Sequence, residues 1–285
     1  MVVGSKGMLA HDLLEVLDRA EGDLRVVGAD LPELDITDAD RLMGAVRKAQ
    51  PDVIINCAAY TDVDGCETHQ EQAMAVNGAG PGNLARAANE VSAKLVHVST
   101  DFVFDGTKEG AYLEQDEPKP VSVYGTTKLE GEKQVKTIAQ DYITVRTAWL
   151  FGLQGKCFPK AILKKAEQGS PLQVVDDQRG SPTHSADLAG ALWKLVGVDA
   201  KGLYHGAGSG SCTWFEFAEE ICRQARLEAT IEPIDSNQLD RPAPRPANSV
   251  LDSSRLMEAT GFEFPSWRQS LHTFLTRMGY GTDGT

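Results

Sequence analysis

Tyr124 and Lys128 stand four residues apart in Val121-Ser-Val-Tyr-Gly-Thr-Thr-Lys128. On a helix, positions i and i+4 share one face, so the phenol and the ammonium point into the same space. A neighbouring cation favours the ionised form of a phenol and lowers its pKa. A phenol so tuned can give a proton to an oxygen that is becoming an alkoxide. Upstream, Ser99-Thr100-Asp101 closes the apolar run Leu95-Val-His-Val98, and the Thr100 hydroxyl can hold that same oxygen in place.

The elements that position these groups alternate in a βαβ rhythm over residues 1–150. Val2-Val3 reads as a short strand, and Leu9, Leu13, Leu14 and Leu17 give helical spacing over about 7–20. Leu24–Ala29 reads as a second strand, and Asp38 caps a helix over about 39–49. Asp52–Cys57 is apolar on both faces, as parallel strands usually are. A long helix over about 70–91 and the strand Lys94–Ser99 follow. A helix near 122–138 carries Tyr124 and Lys128, and Ile143–Thr147 is a further strand. Strands alternating with helices predict an α/β fold, a parallel sheet wound on both faces. Only Met1-Val2-Val3 precede Gly4, which is short for the central strand of such a sheet, so residues upstream of Met1 are expected. After about 150 the rhythm loosens and proline marks many loops. Helices are expected near 158–168, 186–197, 213–226 and 266–278, and residues 279–285 read as a frayed tail. The division expected is a Rossmann domain over 1–150, with 181–200 returning to it, and a smaller C-terminal α/β lobe over 151–180 and 201–285. The cations of Leu239-Asp-Arg-Pro-Ala-Pro-Arg-Pro246 predict an extended loop facing something anionic.

Between the first strand and the first helix lies Val3-Gly4-Ser-Lys6-Gly7-Met8-Leu-Ala10. Glycines there let the backbone approach a pyrophosphate resting on the helix N-terminus, and Ala10 replaces a third glycine. Asp30 ends the second strand, where an acid binds the adenosine ribose 2′-hydroxyl. No cation directly follows it in Leu31-Pro32, so NADH is slightly favoured over NADPH. Asp35-Ile36 are expected to flank the adenine, and Ala58-Ala59-Tyr60 to line the cofactor on the switch side of the sheet.

Composition narrows the class. The chain has 285 residues, 41% of them apolar, and a formal charge of −13. That charge argues against nucleic acid or an anionic membrane as the main partner. No apolar run approaches the ~20 residues of a membrane span, and the first residues lack a signal-peptide pattern. The five cysteines are scattered, with no zinc spacing, so the cytoplasm is the expected compartment. No metal site is indicated, although acids such as Glu15 and Asp187 are chemically able to hold Mg2+. The helices near 70–91 and 122–138 serve equally well as core or as the face of a homodimer.

Together these residues resemble the extended short-chain dehydrogenase/reductase superfamily and, within it, the dTDP-4-dehydrorhamnose reductase family. The resemblance runs nearly end to end. It is carried by Pro51-Asp-Val-Ile-Ile-Asn-Cys-Ala-Ala-Tyr-Thr61, Ser99-Thr-Asp-Phe-Val-Phe-Asp-Gly106 and Val123-Tyr-Gly-Thr-Thr-Lys-Leu-Glu-Gly-Glu132. Val174-Val-Asp-Asp-Gln-Arg-Gly-Ser-Pro-Thr183 and Arg245-Pro-Ala-Asn-Ser249 narrow it to the family. The resemblance implies NAD(P)H-dependent reduction of the C4 ketone of dTDP-4-dehydro-L-rhamnose, the last step of dTDP-L-rhamnose synthesis. It implies Tyr124 as proton donor, Lys128 on the nicotinamide ribose and Thr100 on the carbonyl oxygen. Gly4, Lys6, Gly7, Met8, Asp30, Asp35, Ile36, Ala58, Ala59 and Tyr60 would bind the dinucleotide. Asp101 and Trp149 would contact the sugar, and Arg179, Arg245 and Asn248 the dTDP portion. Lys156-Cys157-Phe158 departs from the Asn-Asn-Phe common in relatives, which bears on how the diphosphate is held. Three alternatives stay open: an epimerase or dehydratase on the same fold, a reductase of another nucleotide-linked keto sugar, and a non-catalytic binding subunit.

Overall fold

The computed structural model describes residues 1–281. The first part runs β1 (Val2–Val3), α1 (Met8–Asp18), β2 (Gly28–Ala29), α2 (Ala39–Ala49), β3 (Val53–Asn56), α3 (Val63–Thr68), α4 (Gln70–Ala73), a π-helical turn (Met74–Ala79), α5 (Gly80–Glu90) and β4 (Lys94–Thr100). A 3-10 turn (Asp101–Val103), α6 (Val123–Ile138), β5 (Tyr142–Thr147) and β6 (Leu150–Phe151) follow. The remainder is α7 (Phe158–Glu167), β7 (Leu172–Val175), β8 (Arg179–Gly180), β9 (Thr183–His184), α8 (Ser185–Val196), β10 (Gly202–His205), β11 (Cys212–Thr213), α9 (Trp214–Ala225), β12 (Ile231–Ile234), α10 (Ser254–Thr260) and α11 (Trp267–Arg277).

Six strands form one sheet in the order β10-β5-β4-β3-β1-β2, and every pair in it is parallel. Successive strand residues point to opposite faces. Val2, Ile55 and Val96 therefore join a core with α1, α8 and Leu256 of α10. Their neighbours Val3, Ile54 and Leu95 join a second core with α2, α5 and Val135 of α6. Helices thus cover both faces, as the sequence predicts. α5 and α6 turn their buried sides into this core and against each other. A third core holds the C-terminal lobe, where Phe151, Leu163, Phe217, Trp267 and Phe274 pack around the parallel pair β7 and β12.

Several expected boundaries shift. Leu24–Val27 is not strand: β2 is an edge strand whose sole neighbour β1 offers two residues, and Leu24 and Val26 remain exposed. The helix expected over 70–91 is interrupted by the π turn, which swings the Asn77 side chain inward to bind the Tyr60 backbone. Gly202–His205, grouped with the lobe in the sequence reading, pairs with β5 as the far edge of the main sheet. Within the expected tail, Tyr280 packs on the lobe core and donates to Glu167 at 2.5 Å; residues 282–285 lie outside the described ones. No helix among the described residues is long and apolar enough to cross a membrane.

Candidate active site

The reactive groups meet where α6 docks on the C-terminal end of β4. Ser122 starts α6 by accepting from the Gly125 amide at 3.1 Å, and Glu67 accepts from the Val123 amide at 2.9 Å. Two glycines inside α6 would each weaken a free helix by about 1 kcal/mol. Here they allow backbone contact: a methyl on Gly125 would sit 2.1 Å from the Phe102 carbonyl, and one on Gly131 2.2 Å from that of Asn77. The helix therefore lies close enough to bring the buried Tyr124 beside the Thr100 side chain. Thr100 Oγ1 donates to Asp101 Oδ1 at 2.9 Å and accepts from the Phe102 amide at 3.2 Å. Lys128, one turn on, donates to the Val98 carbonyl at 2.7 Å.

Electrostatics here differ from the sequence expectation. The Tyr124 phenol is not lowered: burial pushes its pKa above the ordinary value, the Asp101 charge adds to this, and the Thr100 hydrogen bond opposes it. The Lys128 ammonium uses one hydrogen on the Val98 carbonyl. Burial lowers Lys128 to about 8, while Glu132 and Cys57 work the other way. Burial raises Asp101 to about 6, opposed by the neighbouring Ser249 and Thr100 hydroxyls; Thr100 bonds Oδ1, and Oδ2 is buried without a partner. At neutral pH the phenol holds its proton, which is the loaded state of an acid.

Beside this cluster, a cavity of about 490 Å³ opens at the C-terminal ends of β1 and β3. That is the point where strand order reverses, the usual ligand crevice of an open α/β sheet. Gly4, Lys6, Gly7, Asp30, Asp35, Ile36, Ala58 and Ala59 all line it. Gly4 has φ +77°, and a Cβ there would fall 2.6 Å from the Ala58 nitrogen. The first turn of α1 has neither a capping side chain nor an acid, so its free amides suit a pyrophosphate. These features fit a dinucleotide. Asp30 accepts from the Lys6 and Leu31 amides, each at 2.7 Å. The Lys6 ammonium lies 2.6 Å from the Leu31 carbonyl, so a cation does stand beside this acid, contrary to the sequence reading. Met8 and Tyr60 lie apart: Met8 packs towards Gly152, and Tyr60 joins the cluster around Tyr124.

On the lobe side, Trp149 stacks on Trp214 with centroids 3.5 Å apart and planes 5° apart. Trp149 holds φ +46°, a strained region costing about 1–3 kcal/mol for a bulky residue. Arg179 opens β8, whose Gly180 lies against the Trp149 ring; it is half exposed and meets Glu216 at 3.3 Å. The Arg179 amide donates to the Ala247 carbonyl, and its own carbonyl accepts from the Ser249 amide. Since Ser249 also reaches Asp101, Asp101, Trp149, Arg179 and Asn248 are gathered on one side. Asn248, however, uses its amide to hold the Lys108 and Gly110 carbonyls at 2.8 and 2.7 Å. Arg245 forms a bidentate pair with Asp64 at 3.0 and 2.8 Å. The anion faced by the proline-rich loop is thus Asp64 of the same chain. Glu15 meets Arg19 and Arg277 and stands with His11 and Asp12 in a group whose ligand atoms lie within 4.8 Å of one another, and Asp187 accepts from Ser270.

The family model described as RmlD substrate binding domain matches residues 1–280. The chain belongs to this family. It is 41% identical, over 95% of its length and 91% of the relative's, to a dTDP-4-dehydrorhamnose reductase from Streptomyces griseus. A solved dTDP-4-dehydrorhamnose reductase from Clostridium acetobutylicum superposes with TM-score 0.94 at 37% identity, covering 98% of each chain. Another from Bacillus anthracis, solved in complex with NADP, gives TM-score 0.93 at 36% identity, covering 97% of this chain and 98% of that one.

Several side chains in this RmlD family member escaped the sequence reading. Trp214 is hidden in the sequence because the capping box Thr213–Glu216 reads as an ordinary helix start. Glu132 and Arg146 form a fully buried bidentate pair at 2.9 and 2.7 Å. Their sequence signal is faint: Glu132 continues the Tyr124–Lys128 face by one more turn, and Arg146 interrupts an apolar strand.

Proposed function

We propose that this RmlD family member reduces the C4 ketone of dTDP-4-dehydro-L-rhamnose to dTDP-L-rhamnose. The single observation that carries the mechanism is the buried Tyr124 phenol beside the Thr100 hydroxyl, with Lys128 one turn on facing Cys57 of the dinucleotide cavity. When bound, a reduced nicotinamide supplies the hydride. Thr100 holds the ketone oxygen. Tyr124, protonated at neutral pH, donates its proton there as negative charge grows, and the buried Lys128 ammonium stabilises that charge. General acid catalysis of this kind contributes about 10²–10⁴-fold. Asp101 orients sugar hydroxyls, the Trp149–Trp214 platform takes a flat face of the substrate, and Arg179 faces its phosphates. Arg245 and Asn248 act by fixing the loop that carries Ser249.

Gly4, Gly7, Ala58 and Ala59 admit the pyrophosphate, with Asp35 and Ile36 at the adenine. Asp30 favours a ribose hydroxyl and Lys6 offers a cation to a 2′-phosphate, so both NADH and NADPH serve. Work in the cytoplasm agrees with five cysteines that are all unpaired. The test is oxidation of NADH or NADPH by the purified protein with dTDP-4-dehydro-L-rhamnose, with dTDP-L-rhamnose as the product identified by mass and NMR. Absence of turnover with either cofactor would leave a binding subunit and remove this assignment.

A further inference from the structure

The face of α6 that carries Tyr124 and Lys128 continues one more turn to Glu132, and all three are buried. All three meet the last three residues of β4: Tyr124 lies beside the Thr100 side chain, Lys128 donates to the Val98 carbonyl and Glu132 accepts from the Ser99 hydroxyl at 2.6 Å. Glu132 is the fixed end of this ladder. Arg146 of β5 grips both its oxygens at 2.9 and 2.7 Å, and the Arg146 guanidinium rests over the Phe104 ring at 5.0 Å.

We infer that Glu132 is a positioning residue for the reaction: clamped by Arg146 and Ser99, it sets the register of α6 on β4 and supplies the anion that keeps the Lys128 ammonium charged in a dry site. The inference rests on the reductase reading above. Its chemistry is specific. A lysine with one carbonyl partner in the interior tends to lose its proton, and a fixed carboxylate one turn away opposes that. The titratable groups facing Lys128 are Cys57 from the end of β3, His97 from β4, and Tyr124 and Glu132 from α6. Cys57 is pushed up to about 12 by burial, and His97 is held neutral by burial and by Lys128 itself. Glu132 is the carboxylate of the set, gripped through both oxygens by Arg146.

The experiment compares pH profiles of kcat for wild type, Glu132→Asp, Ser99→Ala and the double variant Glu132→Gln/Arg146→Met, which removes the pair without stranding a buried charge. The basic limb of the double variant is expected to move down by about one pH unit. Its kcat should fall by about tenfold or more, while Glu132→Asp keeps the limb within a few tenths of a unit of wild type. A folded double variant with wild-type kcat and limb overturns the inference. Should the double variant fail to fold, Ser99→Ala decides. A kcat lowered by roughly threefold or more with unchanged cofactor KM supports the ladder, and wild-type kcat overturns it. Wild-type turnover is measured first, so failure of the reductase reading and failure of this inference give different results.

Discussion

Asp101→Asn should make the protein more stable at neutral pH while impairing it as an enzyme. Asp101 is buried, its Oδ2 has no partner, and burial raises its pKa from 3.8 to about 6. Between those two values the folded state binds more protons than the unfolded state, so this group makes stability fall as pH rises. Below about pH 4 the acid is neutral in both states and costs nothing. Above about pH 6 the full difference applies, about two units at about 1.4 kcal/mol each, or about 3 kcal/mol. Asparagine keeps an oxygen for the Thr100 hydrogen bond and removes the charge. For a chain of 285 residues, about 3 kcal/mol corresponds to about 5 °C in Tm. Thermal unfolding followed by circular dichroism at pH 4, 6 and 8 should show the variant level with wild type at pH 4 and ahead by a few degrees at pH 8. An unchanged or lowered Tm at pH 8 would refute the reasoning, because it would mean that the carboxylate is stabilised where it lies.

Gly125→Ala drives a methyl into the Phe102 carbonyl; a loss of about 3 kcal/mol or more in urea unfolding is expected, together with loss of turnover. Lys6→Ala should raise KM for NADPH by about tenfold, the value of about 1.4 kcal/mol, and change KM for NADH little; equal changes for both cofactors would show that Lys6 does not meet the 2′-phosphate.

The sheet, the helices over 39–49 and 158–168, and the glycine turn were all legible because periodicity and capping are local. So was the Tyr124–Lys128 face, since four residues on one helix fix a shared direction whatever the tertiary fold. What the Lys128 ammonium touches was not legible: it depends on how closely α6 approaches β4, which Gly125 and Gly131 decide through contacts with Phe102 and Asn77. The same holds for Arg245, whose partner Asp64 lies far away in the chain. Lys6 was placed at the dinucleotide from the glycine turn, but its reach to the β2 end beside Asp30 was not legible, because it crosses the space between strands. Tyr60 and Met8 follow motifs of the cofactor side, yet Tyr60 packs in the cluster around Tyr124 and Met8 next to Gly152, tertiary contacts that residue type does not encode.

The central claim is that the Tyr124 hydroxyl supplies the proton. Its direct test is the rate of NADH oxidation by Tyr124→Phe under single-turnover conditions with saturating dTDP-4-dehydro-L-rhamnose. The account predicts a fall of at least about 10²-fold with cofactor binding and thermal unfolding unchanged. A phenylalanine variant that turns over at the wild-type rate would contradict it.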